Sequence, residues 1–120
     1  MSIQHISAVS FAVIDMARSV GFYEKLGFEV IYGSPRDSFV TLQADQAFIN
    51  LILTDGYQKQ WWGRAIFRVS NADQQYQKAL SADLNPDSPQ NGAWGERYFH
   101  ITDPDGHELS FAELTNNPHP

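Results

Sequence analysis

From Ser7 to Val13 the chain alternates, with Val9, Phe11 and Val13 on one side and Ala8, Ser10 and Ala12 on the other. A period of two predicts a half-buried strand. The period then changes. Met16, Val20, Tyr23 and Leu26 recur three or four positions apart, which predicts a helix. Asp15 stands where a side-chain oxygen caps a first turn, and Gly27 where a left-handed residue ends a last one. Three more strands are predicted over 28–32, 38–42 and 47–54. Gly33-Ser34-Pro35 and Ala44-Asp45-Gln46 supply the turns between them.

The same order begins again near Gly63. Residues 64–69 alternate, with Ala65, Phe67 and Val69 opposite Arg64, Ile66 and Arg68. Asn71 stands where it would cap a helix carrying Ala72, Tyr76, Ala79 and Leu80. The stretch from Leu84 to Gly95 is rich in Pro, Asn and Gly, and predicts at most a short or irregular strand. Residues 98–102 and 108–114 read as a hairpin around Asp103-Pro104-Asp105-Gly106, with Gly106 at a position suited to positive φ. Phe67 and Val69 follow Phe11 and Val13 by the same 56 positions, and Leu109 and Phe111 follow Ile49 and Leu51 by 60. The chain therefore reads as one α+β domain, 1–120, built from two strand–helix–three-strand modules over 6–55 and 63–114. Both helices are expected on one side of the strands, leaving the other side to form a concave surface.

Composition narrows the functions available. A chain of 120 residues is of single-core length, and 42% hydrophobic residues with eight Phe, five Tyr and three Trp are enough to fill that core. The absence of cysteine excludes disulfides, thiolate metal sites and a cysteine nucleophile. Fourteen acidic against eight basic residues give a net charge of −6. That balance argues against binding a nucleic-acid backbone and suits a cationic small ligand. No apolar run approaches the roughly 18–20 residues of a membrane span. The N-terminus lacks the basic-then-apolar order of a signal peptide, so a cytoplasmic protein is expected.

Two segments carry a family resemblance. Val13-Ile14-Asp15-Met16-Ala17-Arg18-Ser19, followed by Phe22-Tyr23-Glu24-Lys25-Leu26-Gly27-Phe28, is similar to the first-module signature of the vicinal oxygen chelate superfamily. Asp103-Pro104-Asp105-Gly106-His107 is similar to its closing hairpin. That superfamily includes glyoxalase I, extradiol dioxygenases, fosfomycin resistance enzymes and bleomycin resistance proteins. The resemblance spans about residues 6–114 and implies two βαβββ modules, with curved mixed sheets and helices on the outer face. It also implies a divalent metal held by His, Glu or Gln, one from each of four strands. Carried onto this chain, those places are Ala8, Asn50, Arg64 and Ser110. Alanine has no donor, arginine stays charged and repels a cation, and Asn and Ser are weak neutral donors. The expectation is no metal, no other cofactor, and none of the catalysis that depends on them.

Within the superfamily the chain most resembles the bleomycin resistance proteins. They are similarly short and acidic, and carry a Trp-Gly pair shortly before the last hairpin, here Trp94-Gly95. The resemblance implies that Trp94 stacks on a flat ligand and that Tyr32 lies near a partner aromatic. It places Trp61 and Trp62 at the groove or at a dimer contact. Strand alternation itself puts Phe48, Asn50, Arg64 and Arg68 on the concave face. With a three-residue hairpin loop, His100 faces Ser110 there, beside Tyr98 and Glu108, while Phe99, Ile101, Leu109 and Phe111 point to the helix side. These twelve are the candidate ligand-binding residues. The function expected is metal-free sequestration of a flat aromatic small molecule, such as a bleomycin-class antibiotic, in a groove of a homodimer. Two alternatives stand beside it. One is a glyoxalase- or dioxygenase-like metalloenzyme with displaced ligands, in which His100 and Glu108 join His5 or His107. The other is a binding domain for an anionic metabolite held by Arg64 and Arg68, unless those arginines instead neutralise Glu108 or Glu96.

Overall fold

The computed structural model describes residues 2–115, which fall into two compact units divided between Gln58 and Lys59. The first unit runs β1 (Val9–Val13), α1 (Met16–Leu26), β2 (Glu29–Tyr32), β3 (Phe39–Ala44) and β4 (Ala47–Leu53). The second runs β5 (Arg64–Arg68), α2 (Ala72–Ser81), β6 (Gln90–Gly92), β7 (Glu96–Thr102) and β8 (Glu108–Leu114). Each unit is one four-stranded mixed sheet with one helix, in the orders β1-β4-β3-β2 and β5-β8-β7-β6. The α+β reading and the strand–helix–three-strand order are both observed. Among the described residues no helix is long and apolar enough to cross a membrane.

Local chemistry sets the helix ends. The Asp15 carboxylate accepts from the Arg18 N–H at 3.1 Å, and Asn71 does the same for Gln74 at 3.0 Å. Each cap stabilises its helix by about 1 kcal/mol. Gly27, at φ 111°, ends α1 in the left-handed conformation. Two strands are longer than the sequence predicted. Asp45 adopts φ 51°, so β3 and β4 close around a two-residue turn and pair as far as Ala44–Ala47. Strand β7 begins two residues early because Glu96 pairs with both Gly92 and Leu114.

The cores lie between helix and sheet. In the first unit Tyr23, fully buried, stacks on Phe11 at 5.8 Å and meets Phe22 and Phe28 edge-on. In the second, Phe111 stacks between Phe67 and Phe99, and Tyr76 of α2 meets Phe99 edge-on. Leu80 is a correction: it is exposed. At 100° per residue it lies about 80° round the helix from Ala72, beyond the stripe that Ala72, Tyr76 and Ala79 present.

The repeat extends to register. Ser10 pairs with Asn50 as Ile66 pairs with Ser110, and Thr41 pairs with Asn50 as His100 pairs with Ser110. The same rung of each sheet thus carries Ser10–Asn50–Thr41 in one unit and Ile66–Ser110–His100 in the other.

Candidate functional site

The face of the second sheet turned away from α2 collects most of the candidate residues. Parallel pairing sets Arg64 beside Glu108, Ile66 beside Ser110 and Arg68 beside Ala112. Antiparallel pairing sets His100 beside Ser110 and Tyr98 beside Ala112. The turn makes this register possible. Gly106 takes φ 90°, and the buried Asp103 carboxylate accepts from the N–H groups of Asp105 and His107, both at 2.9 Å.

An aromatic ladder crosses this face. The rings of Trp94 and Tyr98 lie 5.3 Å apart with planes 25° from parallel, and Tyr98 continues to His100 at 5.1 Å. Trp94 is seated by two neighbours. A Cβ on Gly92 would lie 2.6 Å from an indole carbon, so only glycine leaves room for the ring. The indole N–H donates to the Glu96 carboxylate, whose other oxygen accepts from Arg68 at 2.9 Å. Trp94 remains 45% exposed.

A polar cluster closes the other end of the ladder. Arg64 Nη2 donates to Glu108 at 2.9 Å, and Nη1 lies 3.0 Å from His100 Nε2 and 3.1 Å from Nδ1. Ser110 Oγ is 2.6 Å from His100 Nδ1. A guanidinium only donates, so the arrangement that satisfies all partners has Nδ1–H donating to Ser110 and Nε2 accepting from Arg64. The imidazole is then neutral. Burial lowers its pKa and the Arg64 charge lowers it further, against opposing contributions from Asp87 and Glu108. Ser110 is buried, although it faces the open side of the sheet. The Arg64 guanidinium also lies 5.7 Å from the Trp61 ring centroid. Trp62 donates to Nδ1 of the buried His107 at 2.7 Å and so ties the segment before β5 to the hairpin turn.

The remaining candidates lie in the first unit. A register shift between Val30 and Tyr32 turns Tyr32 to pair with Thr41, and its ring meets Phe39 edge-on at 6.1 Å. Asn50 accepts from Thr41 at 2.7 Å and donates to Ser10 at 3.2 Å. Phe48 lines an open hollow of about 520 Å³ with His5, Ile6 and Gln43. Alternation in the sequence gives no sign of the contacts that Gly92, Phe39 and Thr41 make. Glycine beside a tryptophan in a loop, and small hydroxyls at matching rungs, are weak signals.

The four places where the resemblance puts metal ligands do not fit a metal. Ala8 offers no donor, Asn50 is committed to Thr41 and Ser10, and Ser110 to His100. Arg64 brings a fixed positive charge to the fourth. Nor do displaced ligands converge in the second unit: Glu108 pairs with Arg64 rather than with His100, and His107 is bonded to Trp62. Among the described residues no three His, Asp or Glu side chains group in a way that holds a metal ion.

Two mixed sheets of this topology, each backed by one helix, define a class of repeated βαβββ protein. The family model of the Glyoxalase/Bleomycin resistance protein/Dioxygenase superfamily matches residues 2–111, and the chain belongs to that superfamily. Among solved structures it is similar to a bleomycin resistance determinant encoded on the transposon Tn5. There the identity is 18% and the TM-score 0.81, covering 92% of this chain and 98% of that one. A bleomycin-binding protein solved with bleomycin is 18% identical with a TM-score of 0.76, covering 95% and 100%. A variant fosfomycin resistance protein from Listeria monocytogenes, solved with Mn(II) and a dihydroxypropylphosphonic acid, is 17% identical. Its TM-score is 0.78, covering 96% and 95%. A search of curated protein sequences finds no match.

Proposed function

We propose that the protein is a metal-free binder of a flat, aromatic small molecule, and that the ligand stacks on the Trp94–Tyr98–His100 ladder. The supporting observation is the seating of Trp94. Its indole is braced by Gly92, Glu96 and Tyr98, yet nearly half of it is open to solvent. An aromatic plane held in advance gives contact area at little entropic cost. Arg64 and Arg68 each end on a carboxylate, so the face is close to electrically neutral. That favours a neutral or weakly cationic ligand over an anionic metabolite. Fold similarity to a bleomycin-binding protein makes a bleomycin-class antibiotic the first ligand to test.

The binding form is a homodimer in this reading. Trp61, Ile66 and Leu114 of the second unit and Ile52 of the first leave large apolar side chains exposed, and a second copy would cover such surface. Calorimetric titration with metal-free bleomycin tests the ligand. Saturable binding that weakens roughly 5- to 150-fold in Trp94→Ala is expected. Absence of heat at high drug concentration, with the protein folded, would reject the antibiotic.

A further inference from the structure

Trp94 lies in the turn that joins β6 to β7, where Gly95 takes φ 86°. Its contact with Tyr98 lays one ring on the other at 5.3 Å. Contact of that kind sets the tilt of the indole but leaves it free to turn in its own plane, because packing attraction has little direction. The in-plane angle is set at the ring edge, where the indole N–H donates to Glu96 Oε1. Glu96 is held in turn. Arg68 Nη2 donates to Glu96 Oε2 at 2.9 Å, and Nη1 donates to the Ala112 carbonyl at 3.1 Å. A guanidinium is a planar, rigid fork, so the bond to the strand backbone fixes the direction of the bond to Glu96. Strand register brings the two supports together. Arg68 pairs with Ala112 across β5 and β8, and Ala112 pairs with Tyr98 across β8 and β7. One rung of the sheet thus carries the phenol against the face of Trp94 and, through Glu96, the group on its edge.

We propose that Arg68 is a positioning residue of the binding face: it acts on the ligand through Glu96 and Trp94, by fixing the in-plane angle of the indole, and not by contact with a ligand anion. The proposal rests on Trp94 being the stacking platform. The relay runs from the Ala112 carbonyl through Arg68 and Glu96 to Trp94. An exposed ion pair contributes little to stability, and the Arg68 side chain is 52% exposed, so loss of the pair should show in the ring and not in folding. Glu96 is less replaceable. In a glutamine there, whichever way the amide turns, its NH₂ donor faces either the indole N–H or the guanidinium, so one link is lost.

The first half of the test needs no ligand. In ¹⁵N–¹H spectra the Trp94 indole signal is identified by its loss in Trp94→Phe. In Arg68→Ala and in Glu96→Gln this signal should move toward that of a free indole and exchange faster with water, while the signals of Trp61 and Trp62 stay in place. The second half is calorimetry with metal-free bleomycin. Arg68→Ala should weaken binding roughly 2- to 10-fold, the worth of one hydrogen bond. In a Glu96→Ala background the same change should cost nothing further, since its path to the ring is already cut. A Trp94 signal that Arg68→Ala leaves unmoved would overturn the proposal. So would an undiminished loss in the Glu96→Ala background, which would mean that Arg68 meets the ligand directly. Failure of wild type to bind the drug bears on the stacking reading alone, and the indole signal then decides the relay.

Discussion

The indole of Trp94 lies against the phenol of Tyr98, ring centroids 5.3 Å apart and planes 25° from parallel, on the open face of the second sheet. Both rings belong to the same short stretch of chain, and the pair continues to His100. Stacking of a planar ligand on such a ring contributes about 1–3 kcal/mol. Trp94→Ala should therefore weaken binding of the flat ligand roughly 5- to 150-fold, read by calorimetry. Because Trp94 is partly exposed and lies outside both cores, the thermal midpoint should hardly move.

Gly92 tests the seat rather than the ring. A methyl group there meets the indole at 2.6 Å, so Gly92→Ala should push Trp94 off its bed and away from Glu96. Tryptophan emission should shift to the red, and ligand affinity should fall in parallel with Trp94→Ala while far-UV circular dichroism stays unchanged. Unchanged emission would mean that Trp94 does not depend on that glycine.

His100 makes stability depend on pH. Its pKa in the folded protein lies below that of the unfolded chain, because burial and then Arg64 disfavour the imidazolium. The unfolded chain therefore binds the proton first as pH falls. Stability is full above the ordinary histidine value of about 6.5, declines as pH drops toward the lower folded value, and levels off below it. Imidazole titration by NMR should place His100 below the ordinary histidine value. Arg64→Ala should move it part of the way back, since burial remains.

The hairpin turn should be sensitive out of proportion to its size. Asp103 is buried and accepts from two backbone N–H groups at 2.9 Å. Asp103→Ala leaves those donors without this partner, a loss of about 1–3 kcal/mol, measurable by urea denaturation. The same turn sets the pairing of β7 with β8, so the variant should also disturb the His100–Ser110 contact.

The features the sequence made legible are those fixed by near neighbours. Asp15 and Gly27 mark the ends of α1 because a helix is capped within four positions. His100 was placed opposite Ser110 because the turn residues determine a hairpin's register. Contacts between strands distant in sequence were harder. Whether Arg64 met a ligand anion or Glu108 rested on the parallel pairing of β5 with β8, 44 positions apart. The bond from Trp62 to His107 spans 45 positions and leaves no periodic trace. Tyr32 reaches the rung of Thr41 only through the irregularity after Val30, and strict alternation cannot foresee it. Leu80 was misplaced because one position round a short helix separates a buried residue from a solvated one.

The homodimer is checked by sedimentation velocity across a concentration series. A dimer should predominate, and Ile66→Asp should shift it toward monomer if the exposed apolar surface of the second unit is covered by another copy. A wild-type protein that stays monomeric at every concentration would confine the site to one chain.

The most direct test of the binding site is the indole region of a ¹⁵N–¹H spectrum, recorded while metal-free bleomycin is added in the presence of EDTA. The chain has three tryptophans, so three resolved probes report at once. The Trp94 signal should move furthest, in a saturable manner and without added metal. A Trp94 signal that stays in place while the drug binds, or binding that appears only when a divalent metal is restored, would contradict a metal-free aromatic platform.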